Sequence, residues 1–168
     1  MDSFLGQYWP NFIGTVTGGL VLSTIYFLLK EWVFSLPKLT GIWECELIVQ
    51  KSAYNPYAGM KLWYRITLIQ NGNQIGGHGE LDREDATTGK RRFEGRGRRV
   101  IEVIGKIEKN ITRPDRVHLV WVEDGENRKF SSVFDLCLSG SKVRGNLWGT
   151  YASTAAESSG HSAWSRLE

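Results

Sequence analysis

The sequence predicts a mainly β protein: a single N-terminal transmembrane α-helix followed by a small eight-stranded up-and-down β-barrel. Three observations carry this. No charged residue occurs from Ser3 to Leu29, whereas 19 of the 21 Lys and Arg lie in residues 39–168. After Pro37 the apolar pattern changes from continuous to alternating. Turn-forming clusters then separate short β-rich runs down to the C-terminus. At 168 residues, with 41% hydrophobic and 23% charged, the chain lies near the globular average, which excludes disorder and collagen-like repeats. The mean hydropathy of −0.29 and the net charge of +3 average over two unlike pieces. These are an anchor, residues 1–38, and a barrel domain, residues 39–168, which carries the whole +3 from 19 basic and 16 acidic side chains.

The anchor rests on the run Phe12–Leu29, 18 residues without a charge, at the lower limit for a spanning helix. Tyr8-Trp9 and Trp32 flank it. Trp9 and Trp32 are roughly 34 Å apart at ~1.5 Å of helix rise per residue, the separation of the two aromatic belts of a bilayer. Lys30 and Glu31 reach the headgroups by snorkelling. A cleaved signal would open with basic residues and end at small ones. This N-terminus carries Asp2 and runs into Lys30-Glu31-Trp32, so the expectation is a retained span, in preference to a signal peptide or a buried soluble helix. Basic residues only follow the span, which places the barrel in the cytosol. Gly14 and Gly18 stand one turn apart in GxxxG spacing, a helix-assembly face; the competing reading is that glycine is common in membrane helices.

In the second piece, Thr40–Gln50 sets Trp43, Cys45, Leu47 and Val49 on one side, with Glu44, Glu46 and Ile48 on the other. Leu62–Gln70 and Gln74–Leu81 flank Asn71-Gly72-Asn73, a hairpin signal. A polar loop is expected over Asp82–Lys90. Further strand-like runs are Arg91–Gly97, Arg99–Glu108, Arg116–Glu123, Lys129–Leu138, Val143–Tyr151 and His161–Leu167. Closure into a barrel removes sheet edges and leaves room for one small ligand. Glycines inside the runs (Gly76, Gly77, Gly79, Gly105, Gly145, Gly149) suit barrel corners or a close approach to a ligand.

Gly41-Ile42-Trp43, opening the first strand, resembles the GxW signature of lipocalin-like barrels, and Arg166 on the last strand corresponds to the arginine that lies across that Trp in the family. The combination of an N-terminal membrane anchor with a minimal barrel resembles the transmembrane β-barrel effectors of bacterial CBASS anti-phage systems. Those proteins are often described with two spans, and one is found here. The resemblance implies a cyclic oligonucleotide as signalling ligand, the bacterial inner membrane as location, self-association through barrel and helix, and membrane disruption ending in abortive infection. Effectors of the Panoptes type share the layout but are restrained by their nucleotide.

Enzyme signatures are scarce, and the expectation is a non-enzyme without cofactor or metal. His78, His118 and His161 have no metal spacing, and no nucleophile elbow occurs. Gly76-Gly77-His78-Gly79 lies within a strand, whereas phosphate loops precede helices. Cys45 and Cys137 read as reduced core thiols. Binding has more support, because an anionic ligand with bases needs aromatic planes and arginine forks. The candidate ligand-binding residues are Trp63, Tyr64, Arg65, Trp121, Arg144, Trp148, Thr150, Tyr151, Trp164 and Arg166. Alternation puts Arg144, Asn146, Trp148 and Thr150 on one face, assigned to the pocket, and Gly145, Leu147, Gly149 and Tyr151 on the other, assigned to the core. The plainer alternative is that the aromatics fill a small barrel and the arginines meet water. The basic run Lys90-Arg91-Arg92, with Arg96, Arg98 and Arg99, reads as a solvated hairpin balancing Asp82, Glu84 and Asp85, with lipid headgroups as the alternative. A polymeric nucleic acid is not expected at so low a net charge. Two other classes remain open: an anchored carrier of an apolar ligand, and an assembly subunit that binds only protein.

Overall fold

The computed structural model describes residues 2–33, 35–94, 99–110, 113–125, 128–139 and 145–167. The chain divides into two units, residues 1–35 and 36–168.

The first unit is a helix, α1 (Asp2–Val33). Every residue from Phe12 to Leu29 is exposed, and the helix is long and apolar enough there to cross a membrane. A soluble surface helix shows one apolar stripe, and a helix apolar all round needs an apolar surrounding. A Cβ at Gly14 or Gly18 would meet nothing within 4 Å, so nothing inside the chain requires glycine at either position.

The second unit is a nine-stranded antiparallel sheet, ordered β2-β1-β9-β8-β7-β6-β5-β3-β4 and closed by β2 pairing with β3. The strands are β1 (Gly41–Lys51), β2 (Lys61–Asn71), β3 (Gln74–Ala86), β4 (Gly89–Arg92), β5 (Val100–Glu108), β6 (Arg116–Asp124), β7 (Lys129–Ser139), β8 (Asn146–Ser153) and β9 (Ser158–Leu167). Eight of them form an up-and-down barrel, and β4 is an extra strand on β3. Residues 82–90, expected as a polar loop, instead extend β3 and turn at Thr87-Thr88 into β4. Cross-strand ion pairs line this hairpin: Lys90–Asp85 at 3.2 Å, Arg91–Glu84 at 3.8 Å and Arg92–Asp82 at 4.0 Å. Arg96 and Arg98 lie outside the described residues.

The alternation read from β1 holds: Trp43, Cys45, Leu47 and Val49 are all buried inside. They meet Ile66, Leu68, Ile101, Leu119, Phe134, Leu136 and Leu147 in one core, each contributing about 1.5–3 kcal/mol by leaving water. Cys45 is a thiol inside this core, whereas Cys137 is half-buried on the outer face of β7, not in the core. The inward glycines mark where strands crowd. A Cβ at Gly77, Gly105, Gly149 or Gly160 would lie between 1.9 and 2.3 Å from a carbonyl oxygen of the neighbouring strand. Gly76, by contrast, has open space.

One end of the barrel is sealed. Leu39 covers it, the Trp43 indole donates to the Leu39 carbonyl at 2.8 Å, and Arg166 lies 5.9 Å over the Trp43 ring. Arg166 also donates to the carbonyls of Lys38 and Thr40. Gly41 is required beneath it: its φ is +147°, and a Cβ would sit 2.8 Å from the Arg166 guanidinium.

Candidate functional site

The other end is open. A cavity of about 280 Å³ is entered between the turn after β1, the β3–β4 hairpin, the β6–β7 turn and the β8–β9 turn. Two register shifts, near Val49 in β1 and Trp63 in β2, lie at this rim, where bulges bend strands and re-aim side chains. Leu47, Val49, Met60 and Leu62 form an apolar wall.

The polar side is built on β6, where Trp121 and Glu123 continue the inward phase of Val117 and Leu119. Glu123 is 7% exposed. Burying a carboxylate is costly unless it is paired and hydrogen-bonded, and Glu123 has both kinds of partner. The Tyr64 hydroxyl donates to its Oε2 at 3.0 Å, and Arg99 Nη1 lies 3.5 Å from its Oε1. Burial, reinforced by the adjacent Glu123 charge, holds the Tyr64 hydroxyl well above its ordinary pKa. Tyr64 thus stays protonated and remains a donor. The Tyr151 hydroxyl is pushed up to about 12, mainly by burial, against a lowering contribution from its bond with Ser158.

Trp121 packs 4.7 Å from Tyr64 and 4.3 Å from Phe134, centroid to centroid. Its buried Nε1–H has no hydrogen-bond partner among the described residues. Arg91, Arg99 and Arg128 stand around the mouth, with Arg128 stacked 4.9 Å over Phe130. The site therefore offers aromatic planes, acceptors within and guanidiniums at the entrance.

Of the residues singled out on the sequence, Tyr64, Trp121 and Tyr151 line this cavity. Trp63 and Arg65 lie on the outer face of β2, and Arg83 covers the Trp63 ring at 4.7 Å. The pocket face assigned to β8 is its outer face: Trp148 is 58% exposed and Thr150 is exposed, while Leu147 and Tyr151 point inward. Trp164 is buried in the core, its indole donating to Ser162 Oγ at 2.7 Å, and it does not line the cavity. Arg166 belongs to the sealed end. Arg144 lies outside the described residues. Sequence reasoning missed Glu84, Glu123, Arg91, Arg99 and Arg128 as a set. The available signal was Glu123 itself, an acid in phase with Leu119 and Trp121.

The barrel's outer wall carries a second feature. Ile69, Gly76, Ile104, Val120, Val133 and Ala152 are successive cross-strand partners across β2, β3, β5, β6, β7 and β8. Ile69, Ile104 and Val133 are each more than half exposed. Glu102 flanks this row on one side, and Lys106 with His118 flanks it on the other.

No family model, curated protein or solved structure matches the chain.

Proposed function

We propose that this chain is a membrane-anchored effector of a CBASS-like anti-phage system, in which the cytosolic barrel senses a cyclic oligonucleotide and controls assembly of the inner-membrane helices. The observation that carries this reading is the open-end cavity, where the accessible rings of Tyr57 and Phe130 stand with Arg91, Arg99 and Arg128 above the buried Tyr64 and Trp121. Stacking is worth about 1–3 kcal/mol per base, and guanidinium forks match phosphate. The helix, apolar on every side, supplies the anchor. Its Gly14–Gly18 face suits close packing of one helix on another.

Barrel self-association has a candidate surface in the outer apolar row. A two-fold axis through that row sets Glu102 of one copy against Lys106 of the other, so the face is complementary to itself. A ligand in the cavity need only favour the associated state differentially to shift the assembly. Whether it promotes assembly or, as in Panoptes-type effectors, restrains it is read from the sign of that shift.

The direct test is titration calorimetry of the full-length protein in detergent against cyclic di- and trinucleotides. Heats saturating at one ligand per barrel are expected, and silence across the panel would sink the idea. The apolar wall of Leu47, Val49, Met60 and Leu62 favours one competitor, an anchored carrier of an apolar molecule. Lipid released from the purified protein, with no nucleotide binding, would establish that alternative.

A further inference from the structure

We infer that the cavity reads the donor edge of a guanine base, so that its ligand is a guanine-containing cyclic dinucleotide; this rests on the nucleotide reading above. The ionic groups of the cavity separate by exposure according to sign. The side chains of Glu84 and Glu123 are 11% and 9% exposed, whereas their partners Arg91 and Arg99 are 71% and 41% exposed. Arg128 at the mouth is exposed as well. An entering molecule therefore meets the exposed cations before the carboxylates that they cover. A nucleotide inserted base-first matches that order, with its phosphates held at the entrance.

The acceptors beneath the arginines select among bases. An ionised carboxylate has about four lone-pair sites. Tyr64 and Arg99 engage one site on each oxygen of Glu123, which leaves both oxygens able to accept again. Guanine presents two adjacent donors on one edge, the ring N1–H and the exocyclic amine, and these suit the two oxygens of one carboxylate. Adenine and cytosine present one amine beside a ring acceptor, which would face the carboxylate lone pairs. Uracil presents one imino donor between two carbonyls. The accessible aromatic rings of the cavity, beside which a base can lie, are those of Tyr57 and Phe130. A volume of about 280 Å³ takes one base and its sugar, and the remainder of a cyclic dinucleotide reaches the arginine rim.

The test titrates the full-length protein in detergent with cyclic di-GMP, cyclic GMP–AMP, cyclic di-AMP and cyclic di-UMP. The two guanine ligands are expected to bind at least ~10-fold tighter than the others, the lower part of what one bidentate base contact discriminates. Glu123→Gln keeps an acceptor for Tyr64 but turns one oxygen into a donor. It should abolish the guanine preference and raise the relative affinity for cyclic di-AMP, because an amide pairs with the adenine edge. A merely structural Glu123 would instead weaken all four ligands alike. The exposed Arg128→Ala should weaken all four by a similar factor with the guanine preference intact, which keeps the test decisive should Glu123→Gln not fold. Tighter binding of cyclic di-AMP or cyclic di-UMP by the unaltered protein would overturn the base assignment while leaving the nucleotide reading standing. No binding by any of the four would overturn both.

Discussion

Three tryptophans are almost completely buried in the barrel, each about 1% exposed: Trp43, Trp121 and Trp164. They differ in what their indole nitrogens meet. Trp43 donates to Leu39 O at 2.8 Å and Trp164 to Ser162 Oγ at 2.7 Å, whereas Trp121 Nε1 has no partner among the described residues. The same substitution, Trp→Phe, removes similar volume at Trp121 and Trp164, so the transfer and cavity costs largely cancel in the comparison. What remains is polar. At Trp164 the change loses a hydrogen bond worth about 0.5–1.5 kcal/mol net, and at Trp121 it removes a buried unpaired donor that costs about 1–3 kcal/mol. Trp164→Phe should therefore destabilise by about 1.5–4.5 kcal/mol more than Trp121→Phe. Trp43→Phe should resemble Trp164→Phe or exceed it, since the Arg166 contact on its ring is also altered. Equilibrium urea unfolding followed by far-ultraviolet circular dichroism measures all three without relying on indole fluorescence. Equal losses at Trp121 and Trp164, or a larger one at Trp121, would refute the reasoning.

Two further outcomes follow from the barrel interior. Cys45, Tyr64 and Tyr151 are each held protonated by burial, with folded pKa values above their unfolded ones. Their contribution is intact below the unfolded pKa and is lost as pH rises toward the folded value. Stability should be level in this respect to about pH 9, then fall by up to about 1.4 kcal/mol per pH unit for each group. Tyr151 contributes between about 10 and 12. Urea midpoints that stay constant from pH 8 to 11 would contradict this, and Tyr64→Phe should flatten the decline. At Gly149 a Cβ would lie 2.0 Å from the Asp135 carbonyl oxygen, while at Gly76 it would meet nothing within 4 Å. Gly149→Ala should cost about 3 kcal/mol or more, and Gly76→Ala should be neutral or stabilising by up to about 1 kcal/mol. Unfolding free energies for the pair check this, and equal values would count against the close strand approach.

Much of the fold was legible because its signals are local. The uncharged run from Phe12 to Leu29, the two-residue turn Gly72-Asn73 and the alternation of Trp43, Cys45, Leu47 and Val49 each depend on neighbouring residues alone. Arg166 over Trp43 was legible only through its resemblance to lipocalin-like barrels, because the two are far apart in sequence. The β3–β4 hairpin was hidden because Asp82, Glu84 and Asp85 read as loop. Their side chains are matched by Arg92, Arg91 and Lys90 only once the register is known. Arg99 read as one more charge in a basic run, and nothing local connects it to Glu123 on β6.

The assignment of β8 failed for a more general reason. Core and pocket were given opposite faces of one strand, as if the polar-aromatic face of Trp148 and Thr150 opened on a ligand. A barrel strand has only one inside, so core and pocket must share a face and be separated by height along it. The structure shows that gradient repeatedly. Inward positions on β6 run Val117, Leu119, Trp121, Glu123 from the sealed end to the mouth. On β7 they run Leu136, Phe134, Ser132 in the same direction, and on β8 Leu147, Gly149, Tyr151 and Ser153. Each begins apolar, passes an aromatic residue and ends in a polar group at the cavity. The signal for a barrel site is thus the change of character within one period-2 row, and Glu123 is where that change introduces a charge.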